Sequence, residues 1–119
     1  MEDCIFCKIV AGEAPATVVY EDADTLVIET IEPVSKGHAL AIPKVHSVNI
    51  LDTEDGVLSR LIVAAKKAGA QIVRRHGAQA LNVLHAAGKD AQQSVFHTHF
   101  HLVPRYENDG LDLWFRNNL

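Results

Sequence analysis

Val95-Phe96-His97-Thr98-His99-Phe100-His101-Leu102-Val103 is the stretch from which the rest of the chain is read. Imidazoles alternate with Thr98, Phe100 and Leu102, which matches the two-residue period of a strand, so the spacing predicts a strand over 95–103. His97, His99 and His101 then share one face, while Thr98, Phe100 and Leu102 point into a core. A merely solvated face fits poorly, because three such rings gain no packing and leave unpaired polar atoms if covered. Two chemical readings stay open. Adjacent His-x-His pairs can share a metal ion, but on a flat strand the first and third rings stand about 13 Å apart at roughly 3.3 Å per residue. One ion does not easily take all three. In the other reading the labour is divided, with one imidazole free as nucleophile or acid. Imidazole titrates near neutrality, attacks phosphorus and leaves again from a phosphohistidine-type intermediate, while neighbouring rings hold phosphate oxygens.

Outward from this strand, Ala80 to His85 is a second strand and Ala86 to Gln93 a polar, Gly-containing loop. Asp52 to Asp55 supplies capping residues for a long helix through about Arg75. Val57, Leu58, Leu61, Ile62, Ala65, Ala68, Gly69 and Ile72 repeat within it at helical spacing, and Gly77 ends it. Thr17 to Glu21 and Thr25 to Thr30 form a hairpin about Asp22-Ala23-Asp24. His38 to Pro43 is a further strand after a loop over 31–37, and residues 4–11 form a short helix. The pattern is α+β: a mostly antiparallel sheet of about five strands, one long helix and a short N-terminal helix. The tail residues Leu111, Leu113, Trp114 and Phe115 must pack somewhere or form an interface. His76 and His85 are explained by a helix end and a strand end.

The chain has 119 residues, 48% hydrophobic, which fits a single domain over 1–119. Its 11 basic against 15 acidic residues argue against a nucleic-acid or membrane-surface binder. No apolar run is long enough to span a membrane. The N-terminal stretch starts acidic and is broken by Lys8, unlike a signal peptide, which points to a reducing cytoplasmic setting. There a Cys-x-x-Cys pair, Cys4 and Cys7, is a redox pair or half of a metal site. Two small apolar residues in an amphipathic turn with Ile5, Phe6, Ile9 and Val10 are the plainer alternative.

From His97 to Val103 the sequence resembles the motif His-φ-His-φ-His-φ-φ of the histidine triad (HIT) superfamily, with Thr98 at the first apolar slot. The resemblance also takes in Cys4-Ile5-Phe6-Cys7-Lys8-Ile9, Pro15, Tyr20-Glu21-Asp22, residues 37–46 from Gly37-His38 to Val45-His46, Gln92-Gln93-Ser94-Val95, and Pro104-Arg105. It is closest to the Hint-like branch of homodimeric nucleotide hydrolases and nucleotidyl transferases, in its bacterial type with a Cys-x-x-Cys zinc site.

The resemblance implies that His99 attacks the α-phosphorus of a purine nucleotide conjugate, such as a nucleoside phosphoramidate, forming a nucleotidyl-histidine that water then cleaves. His101 would bind phosphate oxygens and assist the leaving group, His38 would be a fourth site histidine, and Ser94, with Gln93 beside it, would hydrogen-bond the phosphate. Ile5, Phe6, Ile9, Ile28, Ile31 and Leu40 would be core residues first and walls of the base pocket second. Thr30 stands where a ribose-binding Asp is usual, and Ala86 where an Asn is common. Cys4, Cys7, His46 and His97 match a closed, structural zinc site. A dinucleoside polyphosphate hydrolase or phosphorylase shares the same covalent step. A nucleotide-binding sensor or scaffold with incidental turnover is the reading from another class.

Overall fold

The structure is a computed structural model and describes residues 3–115. Helix α1 (Ile5–Val10) begins at Cys4, whose sulfur accepts from the Cys7 amide and so caps the first turn. Strands β1 (Val18–Glu21) and β2 (Thr25–Glu29) follow, joined by a turn in which the Asp22 carboxylate accepts from the amides of Asp24 and Thr25. Strand β3 (Ala39–Pro43), the long helix α2 (Asp55–His76), strand β4 (Ala80–Leu84), a 3₁₀ turn (Lys89–Ala91) and strand β5 (Phe100–Arg105) complete the chain. The five strands form one antiparallel sheet in the order β1-β2-β3-β5-β4.

Alternation divides the sheet into two faces. Val27, Ala39, Ala41, Phe100 and Leu102 meet Leu61, Ala65, Ala68 and Ile72 of α2. The alanines and Gly69 let the helix lie close; a Cβ on Gly69 would stand 2.7 Å from a methyl carbon of Leu81. The opposite face, with Leu26, Ile28, Leu40 and Ile42, is covered by Phe6 of α1. The face of α2 is rotated slightly from the expected one: Ala64 is buried, while Ile62 is 44% exposed. Glu54, within the expected stretch from Asp52 to Asp55, is the N-cap but makes no side-chain capping bond; Asp52 accepts from the amides of Val48 and Asn49 and folds the preceding loop.

The expected strand over 95–103 is shorter than the alternation suggested, since β5 begins only at Phe100. The ladder pairs Ala41 with Phe100. Two positions further along β3 stands Pro43, which has no N–H to donate and whose carbonyl accepts from the His97 ring. Residues 97–99 therefore keep the alternation of side chains but lie outside the sheet. In the tail, Leu111 and Leu113 are half-buried, whereas Trp114 and Phe115 stay 54% and 69% exposed with ring centroids 5.7 Å apart.

Candidate active site and metal centre

Because residues 97–99 leave the ladder, their geometry is set by side chains. His97 and His99 are buried, and both rings stand edge-on to Phe6, with centroids 5.7 and 5.3 Å away. The His99 ring bonds through Nδ1 to the carbonyl of His97 at 2.8 Å. A carbonyl only accepts, so Nδ1 carries the proton and Nε2 of a neutral ring is left with its lone pair. His101 follows on β5, 5.1 Å from His99 between centroids. Its tautomer is fixed from the loop before β3. The Val34 amide donates to His38 Nδ1, so His38 donates from Nε2 to His101 Nδ1 at 2.9 Å, and the remaining proton of His101 is on Nε2. The row thus presents a lone pair on His99 and an N–H on His101.

Burial favours these neutral forms. It holds His38 and His99 below the usual imidazole range, and it pushes His101 down to about 4, helped by the neighbouring His99, His38 and His85.

The third ring of the motif faces elsewhere. His97 donates from Nε2 to the Pro43 carbonyl at 2.8 Å, which leaves Nδ1 as a free donor atom for a metal. That Nδ1 lies 3.2 Å from the Cys4 sulfur, 3.5 Å from the Cys7 sulfur and 3.1 Å from His46 Nδ1. One ligand atom from each of the four residues falls within 4.8 Å of all the others. Such a convergence of two sulfurs and two imidazole nitrogens fits tetrahedral coordination and leaves no side open for a substrate. Burial, followed by the adjacent Cys4 sulfur, pushes the Cys7 thiol up to about 11, so Cys7 is a neutral thiol whose proton a metal ion would displace on binding.

The remaining expected site residues divide. Phe6, Ile28 and Leu40 are buried together beside the histidines, and Ile9 is half-buried against them. Ile5 is 46% exposed and Ile31 is 95% exposed, so neither is the core residue expected; Ile31 sits in a turn outside the sheet. Thr30 is half-buried and its hydroxyl accepts from the Glu32 amide. Ser94 is exposed and lines a cleft of about 610 Å³ with Cys4, Ile5, His46, Val48, Val95 and Phe96. Gln93 departs from its expected place beside a phosphate. Its amide donates to the carbonyls of Val48 and Val95 and accepts from Gly88 N and Asn49 Nδ2, so every polar position is spent on the protein.

Reading by pattern missed two sets of residues. Thr98 was an oddity at an apolar slot, yet its hydroxyl closes a buried triangle with Ser47 at 2.6 Å and Thr53 at 3.1 Å. His85 was explained by a strand end, yet both its nitrogens are engaged by backbone near His99. Only the hydroxyl at Thr98 was a visible signal; nothing local marks His85.

The HIT domain family model matches residues 11–108, which include the histidine row and all five strands of the sheet. The chain belongs to the HIT family. Among solved structures it is similar to SMU.412c from Streptococcus mutans, with a TM-score of 0.94 and 39% identity, covering 100% of this chain and 76% of that one. It is also similar to a Zn-bound histidine triad family protein from Mycobacterium smegmatis, with a TM-score of 0.88 and 37% identity over 98% of this chain and 85% of the other. Among relatives, the adenosine 5'-monophosphoramidase hnt1 of Schizosaccharomyces pombe is 39% identical over 102 residues, covering 86% of this chain and 74% of the relative. Among the described residues, no helix is long and apolar enough to cross a membrane.

Proposed function

We propose that this HIT protein is a Hint-like nucleotide hydrolase that cleaves nucleoside phosphoramidates through a covalent nucleotidyl-His99 intermediate. The observation that carries this reading is the pair of tautomers: a lone pair on His99 Nε2 beside an N–H on His101 Nε2. The named activity of the fission-yeast relative supports the choice of leaving group.

In this mechanism the lone pair of His99 Nε2 attacks the α-phosphorus. A P–N bond to the ring forms as the P–N bond to the leaving amine breaks; the amine takes its proton from solvent water, while His101, neutral and with a single proton, hydrogen-bonds a phosphate oxygen through Nε2–H. The His97 carbonyl, already bonded to Nδ1–H of His99, stabilises the positive charge that grows on the ring. Water then cleaves the nucleotidyl-histidine, releasing a nucleoside monophosphate and restoring the free ring. Ser94, an exposed residue of the segment before His97, is the hydroxyl assigned to the phosphate. Phe6, Ile9, Ile28 and Leu40 form the apolar wall assigned to the base, and the hydroxyl of Thr30 takes the ribose side.

Cys4, Cys7, His46 and His97 would hold a zinc ion, which would supply a closed crosslink between α1 and the segment that carries His99. The Zn-bound relative from M. smegmatis supports zinc over other soft-ligand metals. A homodimer is supported by the edge strand β4, where Val83 is 43% exposed, and by the exposed Ile62 and Val63 of α2. Sedimentation as a monomer at micromolar concentrations would rule that assembly out. Reduced metal-bound thiolates suit a cytoplasmic protein folded as one domain over the whole chain.

The test is hydrolysis of adenosine 5'-phosphoramidate with acid-quench trapping of protein-bound nucleotide. The wild type should turn over and carry a nucleotidyl adduct on His99. His99→Ala should lose kcat by about 10³-fold or more, with no adduct and an unchanged fold. Equal turnover in the variant would overturn the mechanism.

A further inference from the structure

The carbonyl of His99 is the last peptide group before the ladder of β5 begins, and a side chain grips it. His85, one residue past the end of β4, lies 2.9 Å from that carbonyl through Nδ1. Its other nitrogen, Nε2, accepts from the amide of Ile50 at 3.0 Å. The Ile50 amide can only donate and the His99 carbonyl can only accept, so Nε2 is the accepting nitrogen and Nδ1 carries the donated proton. The ring also stacks on Phe100, at 4.9 Å between centroids and 24° between planes. His85 therefore has no nitrogen left for substrate. It joins three places: the loop around Ile50, the end of β4, and the peptide between His99 and Phe100.

That loop is itself bound to the histidine segment. Ser47 accepts from the Thr98 amide through its carbonyl and meets the Thr98 hydroxyl through its own, while Val48 and Asn49 hold Gln93. Among the described residues, His85 is the member of this web whose side chain bonds to the main chain of His99 from another element. The ring direction of His99 follows from its own backbone and from the Nδ1 bond to His97. A rotated 99–100 peptide would turn Nε2 away from an in-line approach to phosphorus.

We propose that His85 is a positioning residue for the nucleophile: it fixes the His99 peptide and through it the aim of Nε2, without touching substrate. The proposal rests on the assignment of His99 as nucleophile. The test uses the full chain in two variants. His85→Phe keeps a ring on Phe100 and deletes both hydrogen bonds; His85→Gln keeps one donor and one acceptor. With adenosine 5'-phosphoramidate, His85→Phe should lower kcat about 10- to 100-fold and slow adduct formation by the same factor. KM and the dissociation constant for AMP should stay within about two-fold. His85→Gln should restore most of the lost rate, because hydrogen bonding and not ring shape is at issue.

Unchanged kcat in His85→Phe would overturn the proposal, as would an equal loss in both variants. A loss that follows only the unfolded fraction, with the melting temperature falling and the rate per folded molecule intact, would also overturn it. A failure of the assigned function shows differently, because then the wild type itself forms no adduct. In that event the ring ¹⁵N signals of His99 decide: they should move from one defined tautomer toward exchange broadening in His85→Phe, and identical signals would reject the positioning role.

Discussion

His101 shows how much one backbone amide can decide. The Val34 N–H sets the tautomer of His38, and that ring sets the tautomer of His101 63 residues away. Burial keeps His101 neutral down to about 4, whereas the same ring in the unfolded chain titrates near 6.5. Between those values the unfolded state binds more protons, so stability rises with pH and is lost progressively as pH falls from 6.5 toward 4. Melting temperatures measured from pH 7.5 to 4.5 should therefore fall, and His101→Asn should flatten the decline. A slope identical in the variant would mean that other groups cause it. At this scale the sequence was partly legible. The alternation picked out the three motif rings, and the family resemblance added His38. The patterns could not reveal that His85 and Thr98 hold the segment, because a ring or hydroxyl that bonds to distant backbone leaves no periodic trace.

Among the elements, the loop between β2 and β3 bears most directly on the site, since it carries Val34 and delivers His38. It turns at Gly37, with φ at +92°, and a Cβ there would stand 2.7 Å from the ring of His76 at the end of α2. His76, which the sequence explains as a helix-end residue, is thus the surface against which this loop closes. Gly37→Ala combines a strained backbone with that clash and should cost about 1–3 kcal/mol in urea unfolding. Gly37→Ala/His76→Ala should recover part of the loss by removing the clash while leaving the backbone strain. A double variant no more stable than Gly37→Ala would show that the ring is not what limits the loop. Element boundaries followed the same logic as the strand at 95–103. Periodicity located α2 and the hairpin within a residue or two, but Pro43 on the neighbouring strand cut β5 short. The residue that ends a strand need not belong to it.

For the whole molecule, the metal cluster joins parts of the chain that sequence separates widely. Cys4 and His97 lie 93 positions apart and their ligand atoms 3.2 Å apart. α1 is only six residues long and exposes Ile5, so its own packing on the sheet rests chiefly on Phe6. An ion between the four ligands would hold this short helix over the His99 segment. Protein purified without added metal should contain about one zinc per chain, and its removal by a strong chelator should cost several kcal/mol of stability. Loss of activity should follow the loss of structure, not precede it, because the closed ligand set has no open position for chemistry. Full stability without metal would reject the assignment, and immediate inactivation with the fold intact would point to a catalytic ion.

Taken alone, the residues determine an α+β chain with a helical face, a hairpin and a row of alternating imidazoles, because periodicity reports which side of an element must be dry. They left Cys4 and Cys7 open between a redox pair, a metal half-site and plain packing; only resemblance to a family named His46 and His97 as companions. Tertiary structure decided which ring turns to the cysteines, which backbone group fixes each tautomer, and that the His99 segment is bonded by His85 and Thr98. Those outcomes depend on a hydrogen bond of about 3 Å between groups brought together by closure of the whole chain. Local pattern cannot encode that distance.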